Sequence, residues 1–87
     1  MMQREPVKEL FRAKALENVE QWFESKIIQK GEGSLVSLNE LRGALDEKVS
    51  EVKEAIKKGD RPGLYVELLD LTAGCIFALA CLEAETL

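Results

Sequence analysis

The chain contains no histidine. That absence removes the usual general base near neutral pH, and with it Ser-His-Asp triads, imidazole-based zinc sites and the Glu-x-x-His di-iron bundle. Cysteine is scarce: only Cys75 and Cys81 occur. Their spacing puts them on different faces of one helix, too far apart for an intrachain disulfide. They read as reduced, buried, small apolar residues of a cytoplasmic protein. Aromatic residues make up only 6% of the chain. No Lys/Arg cluster stands out among the 12 basic residues, and 16 acidic ones bring the net charge to −4. This balance argues against a nucleic-acid groove. A polyanion such as a nucleotide would need metal ions as intermediaries. Residues 1–12 are charged throughout, so no signal peptide is expected. The uncharged stretch 71–82 is shorter than the roughly 20 residues a membrane span takes, so it reads as a buried helix and no membrane partner is expected.

What is present suits a single helix-rich domain over residues 1–87. The chain is 46% hydrophobic and 32% charged. The first helix is expected over 6–30, with Pro6 in its first turn and Val7, Leu10, Phe11, Leu16, Val19, Phe23 and Ile27 recurring at helical steps. Residues 31–34 (Gly-Glu-Gly-Ser) form a connector. Ser37-Leu38-Asn39-Glu40 is a capping box that opens the second helix, with Val36 and Leu41 as a hydrophobic staple. Leu38, Leu41, Leu45, Val49, Val52 and Ile56 make its apolar stripe. Gly59 stops it, and Lys57 and Lys58 complement its C-terminal dipole. Asp60 and Pro62 start a third helix that runs to about Leu82. That helix is apolar nearly all round: Leu64, Val66, Leu68, Leu69, Leu71, Ala73, Ile76, Phe77 and Leu79. Two other short helices can hardly cover it, so an oligomer is expected. The fold class is therefore all-α, a bundle of long antiparallel helices completed by oligomerisation.

Four carboxylates stand out in two pairs, Glu51 with Glu54 and Glu67 with Asp70. The i,i+3 spacing puts each pair on one helix face. The segment between them reads as helix end, tight turn and helix start, which would bring the pairs together. Clustered carboxylates repel unless a cation sits among them, and a hard cation such as Mg²⁺ suits an all-oxygen site. Asp70 shares its face with Val66, Ala73, Phe77 and Cys81. A carboxylate among such neighbours must be paired, protonated or metal-bound. Arg12, Arg42 or Lys53 could supply the pairing instead. Gly74, one turn on, leaves space for an ion or ligand. Glu47, Glu51 and Glu54 share a face turned largely away from the apolar stripe, which also fits a solvated acidic surface with a Glu54–Lys58 pair.

At these residues the chain resembles the MazG-like members of the all-α nucleoside triphosphate pyrophosphatases. Their signature, Glu-x-x-Glu, a short gap, then Glu-x-x-Asp before an apolar helix, is matched by Glu51-Val52-Lys53-Glu54 and Glu67-Leu68-Leu69-Asp70. The intervening Ala-Ile-Lys-Lys-Gly-Asp turn and the trailing Leu-Thr-Ala-Gly-Cys-Ile-Phe-Ala-Leu-Ala are also similar, so the resemblance covers about half the chain. It implies a MazG-like homodimer or homotetramer with Glu51, Glu54, Glu67 and Asp70 as ligands of Mg²⁺, or of Mn²⁺ in its place. It also implies cleavage of (deoxy)nucleoside triphosphates to the monophosphate and pyrophosphate. One position departs. Many members carry a Glu directly before the first motif Glu, where it helps activate the attacking water. Here that residue is Ser50, and Glu47, one turn earlier, is the candidate catalytic substitute.

Trp22 is a candidate for stacking on a nucleobase, and Lys26, Lys53 and Lys58 are candidates for phosphate contacts. Each has an ordinary alternative, as a core or surface residue. Two other functions fit the same residues. One is a non-catalytic helical oligomerisation or nucleotide-binding module. The other is a phosphoribosyl-ATP pyrophosphatase-like enzyme, although that family's longer glycine- and glutamate-rich motif is not seen.

Overall fold

The computed structural model describes residues 3–87, so the first two residues of the expected domain lie outside the described residues. Among the described residues there are three helices: α1 (Glu9–Lys30), α2 (Leu38–Lys58) and α3 (Arg61–Glu83). The all-helical expectation holds among the described residues.

Helix starts follow local chemistry. The Ser37 hydroxyl accepts from the Glu40 backbone N–H at 3.1 Å and caps α2. Val36 stays 83% exposed, so the expected staple with Leu41 buries little. Gly59 ends α2 in the left-handed region at φ 67°. Its N–H donates to the Ile56 carbonyl and that of Asp60 to the Ala55 carbonyl, both at 3.1 Å. This is a Schellman closure, and glycine meets it without strain. Asp60 then caps α3, its carboxylate accepting from the Gly63 N–H at 3.0 Å, with Pro62 in the first turn. Two residues thus separate α2 from α3. At the other end, α1 starts later than the proline suggested. Pro6 lies outside it, and Lys8 is an N-cap without a side-chain hydrogen bond.

The helix α3 packs on both of its neighbours, while α1 and α2 do not pack on each other among the described residues. Side-chain pairings to α3 mark the α2 and α1 registers. Ser34, just before α2, meets Cys81. Lys48 meets Asp70, and Asn18 of α1 meets Tyr65. Among the described residues the buried side chains are Val52 and Ala55 of α2 and Leu69, Ala73, Ala78 and Cys81 of α3. None is less than 2% exposed.

The expectation that α3 would be covered on all sides is not met within one chain. Leu68, Leu79 and Leu82 are 44%, 62% and 51% exposed. They fall on the side away from Asp70, where neither α1 nor α2 reaches. Ile56 and Val49 of α2 are exposed as well, so the expected α2 stripe is only partly covered. Cys75 is also exposed, unlike the buried Cys81; both thiols are free. By length and composition α3 could cross a membrane. In this structure it lies against two charged helices, and its Asp70 is paired to both.

Candidate functional site

Asp70 sits in the middle of α3, and its side chain is 13% exposed. Each neighbouring helix delivers a cation to it. Lys26 of α1 places Nζ 3.4 Å from Oδ1. Lys48 of α2 places Nζ 3.7 Å from Oδ2. Trp22, one turn before Lys26, donates its indole Nε1–H to Oδ1 at 2.7 Å. The Lys26 ammonium also lies 5.4 Å from the centre of the Trp22 ring. Burial pushes the Asp70 carboxyl up, but the Trp22 hydrogen bond and the two ammonium groups outweigh it and hold it below the ordinary aspartate range. Asp70 is therefore paired, as a carboxylate in apolar surroundings must be. The bases that pair it are not the three considered from the sequence. Arg12 donates to the Val7 carbonyl, Arg42 reaches Asp46, and Lys53 is exposed.

One helical turn before Asp70, Glu67 meets Glu51 of α2. Contact with the Glu51 carboxyl raises Glu67 above the ordinary glutamate range, and partial burial and the Asp70 charge push the same way. Glu67 Oε2 is buried and has no hydrogen-bond partner. Lys48 completes the group, with Nζ 3.6 Å from Glu51 Oε2 as well as facing Asp70.

Three of the four motif carboxylates, Glu51, Glu67 and Asp70, are thus linked by direct contact or through Lys48. Glu54 is not. It turns outward and pairs with Lys58 at 3.6 Å, both side chains more than half exposed. Lys58 and Glu54 match the solvated i,i+4 pair that was the ordinary alternative. Glu47 and Lys53 are exposed. Among the described residues no three potential ligands converge closely enough to form a ready metal cage.

Beside Asp70 a cleft of about 370 Å³ opens between α1 and α2, with α3 as its floor. Phe23 and Ile27 form one wall, Leu41 and Leu45 the other, and Gly74 and Phe77 the base. Its charged lining is Lys26, Lys30 and Lys48 together with Glu40 and Asp70. Gly74 has open space where a Cβ would project, as the sequence suggested. Lys48 was not among the sequence candidates. The available signal was its position on α2: Leu41, Leu45, Lys48, Val52 and Ala55 follow the helical repeat, so a lysine interrupts the buried stripe. Comparison with protein-family models, with curated proteins and with solved structures finds no match to this chain.

Proposed function

We propose that the chain is a Mg²⁺-dependent nucleoside triphosphate pyrophosphohydrolase, cleaving (d)NTP to (d)NMP and pyrophosphate, with Mn²⁺ as an alternative metal. The observation that carries this reading is Glu67, one turn from Asp70, whose buried Oε2 has no hydrogen-bond partner and whose carboxyl meets that of Glu51. Those oxygens suit a hard cation in their chemistry. Glu51, Glu67 and Asp70 would hold it, with Glu54 joining by a side-chain rotation away from Lys58. The bound metal would neutralise the triphosphate and acidify a water. The adjacent cleft is within the usual range for a small-molecule site, and its apolar walls suit a base while its lysines suit phosphates. Trp22 acts by fixing Asp70, and Glu47 is the residue nearest in role to the water-activating Glu that Ser50 replaces.

The reading includes an antiparallel α2–α3 pair in a bundle completed by a second copy, as a homodimer or homotetramer in the cytoplasm. The exposed leucines of α3 support it. The deciding experiment is pyrophosphate release from a panel of nucleoside triphosphates with Mg²⁺, with Mn²⁺ and with chelator. Metal-dependent release establishes the class. No release from any nucleotide by a folded protein removes it, and Ser50→Glu would then be the first reversion to try.

One observation favours a second reading. Lys26, Lys48 and Trp22 already satisfy Asp70, so the same cluster can serve as the polar tie of a non-catalytic helical module.

A further inference from the structure

We propose that the Lys48 ammonium occupies the cation position of this carboxylate group, and that a divalent cation binds only by displacing it. The inference rests on the metal-site reading above. Lys48 Nζ lies 3.6 Å from Glu51 Oε2 and 3.7 Å from Asp70 Oδ2, bridging α2 to α3. Asp70 Oδ1 is already engaged by Trp22 and Lys26. Oδ2 is therefore the oxygen left for a metal, and Lys48 is what faces it. The same ammonium thus faces one carboxylate on each helix, Glu51 of α2 and Asp70 of α3.

A lysine suits this exchange. Its charge rides on a flexible four-carbon stem, so it can leave one carboxylate pair without backbone movement. Lys48 also lines the cleft. Once displaced, its ammonium turns toward that space and meets an anion arriving with the metal. One residue then opposes the bare cation and favours the anion. A side chain with only a packing role would do neither.

Lys48→Met keeps the stem and removes the charge, and Lys48→Arg keeps a charge. Mn²⁺ binding to the full chain is measured by electron paramagnetic resonance, with circular dichroism to verify folding. Lys48→Met is expected to bind Mn²⁺ about tenfold more tightly than the unmodified protein, while Lys48→Arg stays close to it. Inorganic pyrophosphate, titrated with saturating Mg²⁺, is expected to bind Lys48→Met more weakly. Equal or weaker Mn²⁺ binding by Lys48→Met overturns the exchange but leaves the metal site standing. Unchanged pyrophosphate affinity overturns the hand-over to the anion. No Mn²⁺ binding by any of the three proteins overturns the exchange and the metal-site reading together.

Discussion

Trp22 and Asp70 are 48 residues apart in sequence and joined by a 2.7 Å hydrogen bond between α1 and α3. The bond is part-buried and its acceptor is ionised, which places it among the stronger kinds. Replacing Trp22 with Phe keeps much of the ring's packing and removes the donor. Lys26 and Lys48 still hold Asp70, so the expected loss is at the lower end, about 1–2 kcal/mol. In a domain of this size that lowers the thermal midpoint by several degrees. An unchanged midpoint would mean the bond contributes nothing to docking α1.

Asp70 itself separates the two functional readings. Asp70→Asn leaves Lys26 and Lys48 facing a neutral group. Both lysine side chains are about 30% exposed, so solvent screens much of the loss, and about 1–2 kcal/mol of destabilisation is expected. Asp70→Leu should cost more, because it also leaves the Trp22 N–H without an acceptor. An oligomerisation module tolerates Asp70→Asn with assembly intact. A metal site loses Mn²⁺ binding and hydrolysis in that variant while the helical content stays. Full hydrolysis by Asp70→Asn would remove Asp70 from the ligand set.

Glu47 is exposed, one turn before Glu51 on the acidic side of α2. If it activates water in place of the absent Glu at Ser50, Glu47→Gln lowers kcat by about 10²-fold or more with little change in Mn²⁺ affinity, which is the scale of general-base catalysis. Equal kcat in Glu47→Gln would exclude it from the reaction.

The helix boundaries around Gly59 and Asp60 were legible because backbone demands act locally there. A left-handed residue closes one helix, and an aspartate caps the next within a few positions. The late start of α1 was not legible from Pro6. Proline tolerates a first helical turn without requiring one. Partial burial of Asp70, with its side chain 13% exposed, was readable from Ala73 and Phe77 beside it on α3, whereas Val66 is 40% exposed. Its partners were not, because Trp22 and Lys26 meet it through the register of α1 on α3, a tertiary choice that no spacing within one helix encodes. Lys48 shows the intermediate case. Its place in the apolar stripe marked it as turned inward, but only the packed structure identifies Glu51 and Asp70 as the groups it faces.

The exposed side of α3 carries a prediction about assembly. Leu79 is 62% exposed and shares its side with Leu68 and Leu82. If a second copy covers this side, the unmodified protein sediments as a dimer or tetramer and Leu79→Glu sediments as a monomer. The charge would have to be buried unpaired in the interface, at a cost of several kcal/mol. A monomeric unmodified protein would remove the oligomer from the proposal, and an oligomer indifferent to Leu79→Glu would move the interface elsewhere.

Glu67 and Asp70 make opposite demands on pH. Asp70 is held below its reference value of 3.8, so its contribution is present above that pH and fades as acid takes the medium through the lower folded value. Glu67 is raised above its reference value of 4.5. The folded state therefore favours its protonated form, which can donate to the neighbouring carboxylate. That contribution is full below 4.5 and is lost as pH rises through the raised folded value, leaving two ionised carboxylates in contact. Glu67→Gln keeps a donor at every pH and cannot ionise. In chelator, it is expected to melt higher than the unmodified protein at about pH 7, with the gap narrowing toward about pH 4. Added Mg²⁺ should then raise the melting point of the unmodified protein at neutral pH, because the cation relieves the same repulsion, and should leave Glu67→Gln largely unmoved. A gap in chelator that is the same at both pH values would show that the Glu51–Glu67 contact does not govern stability.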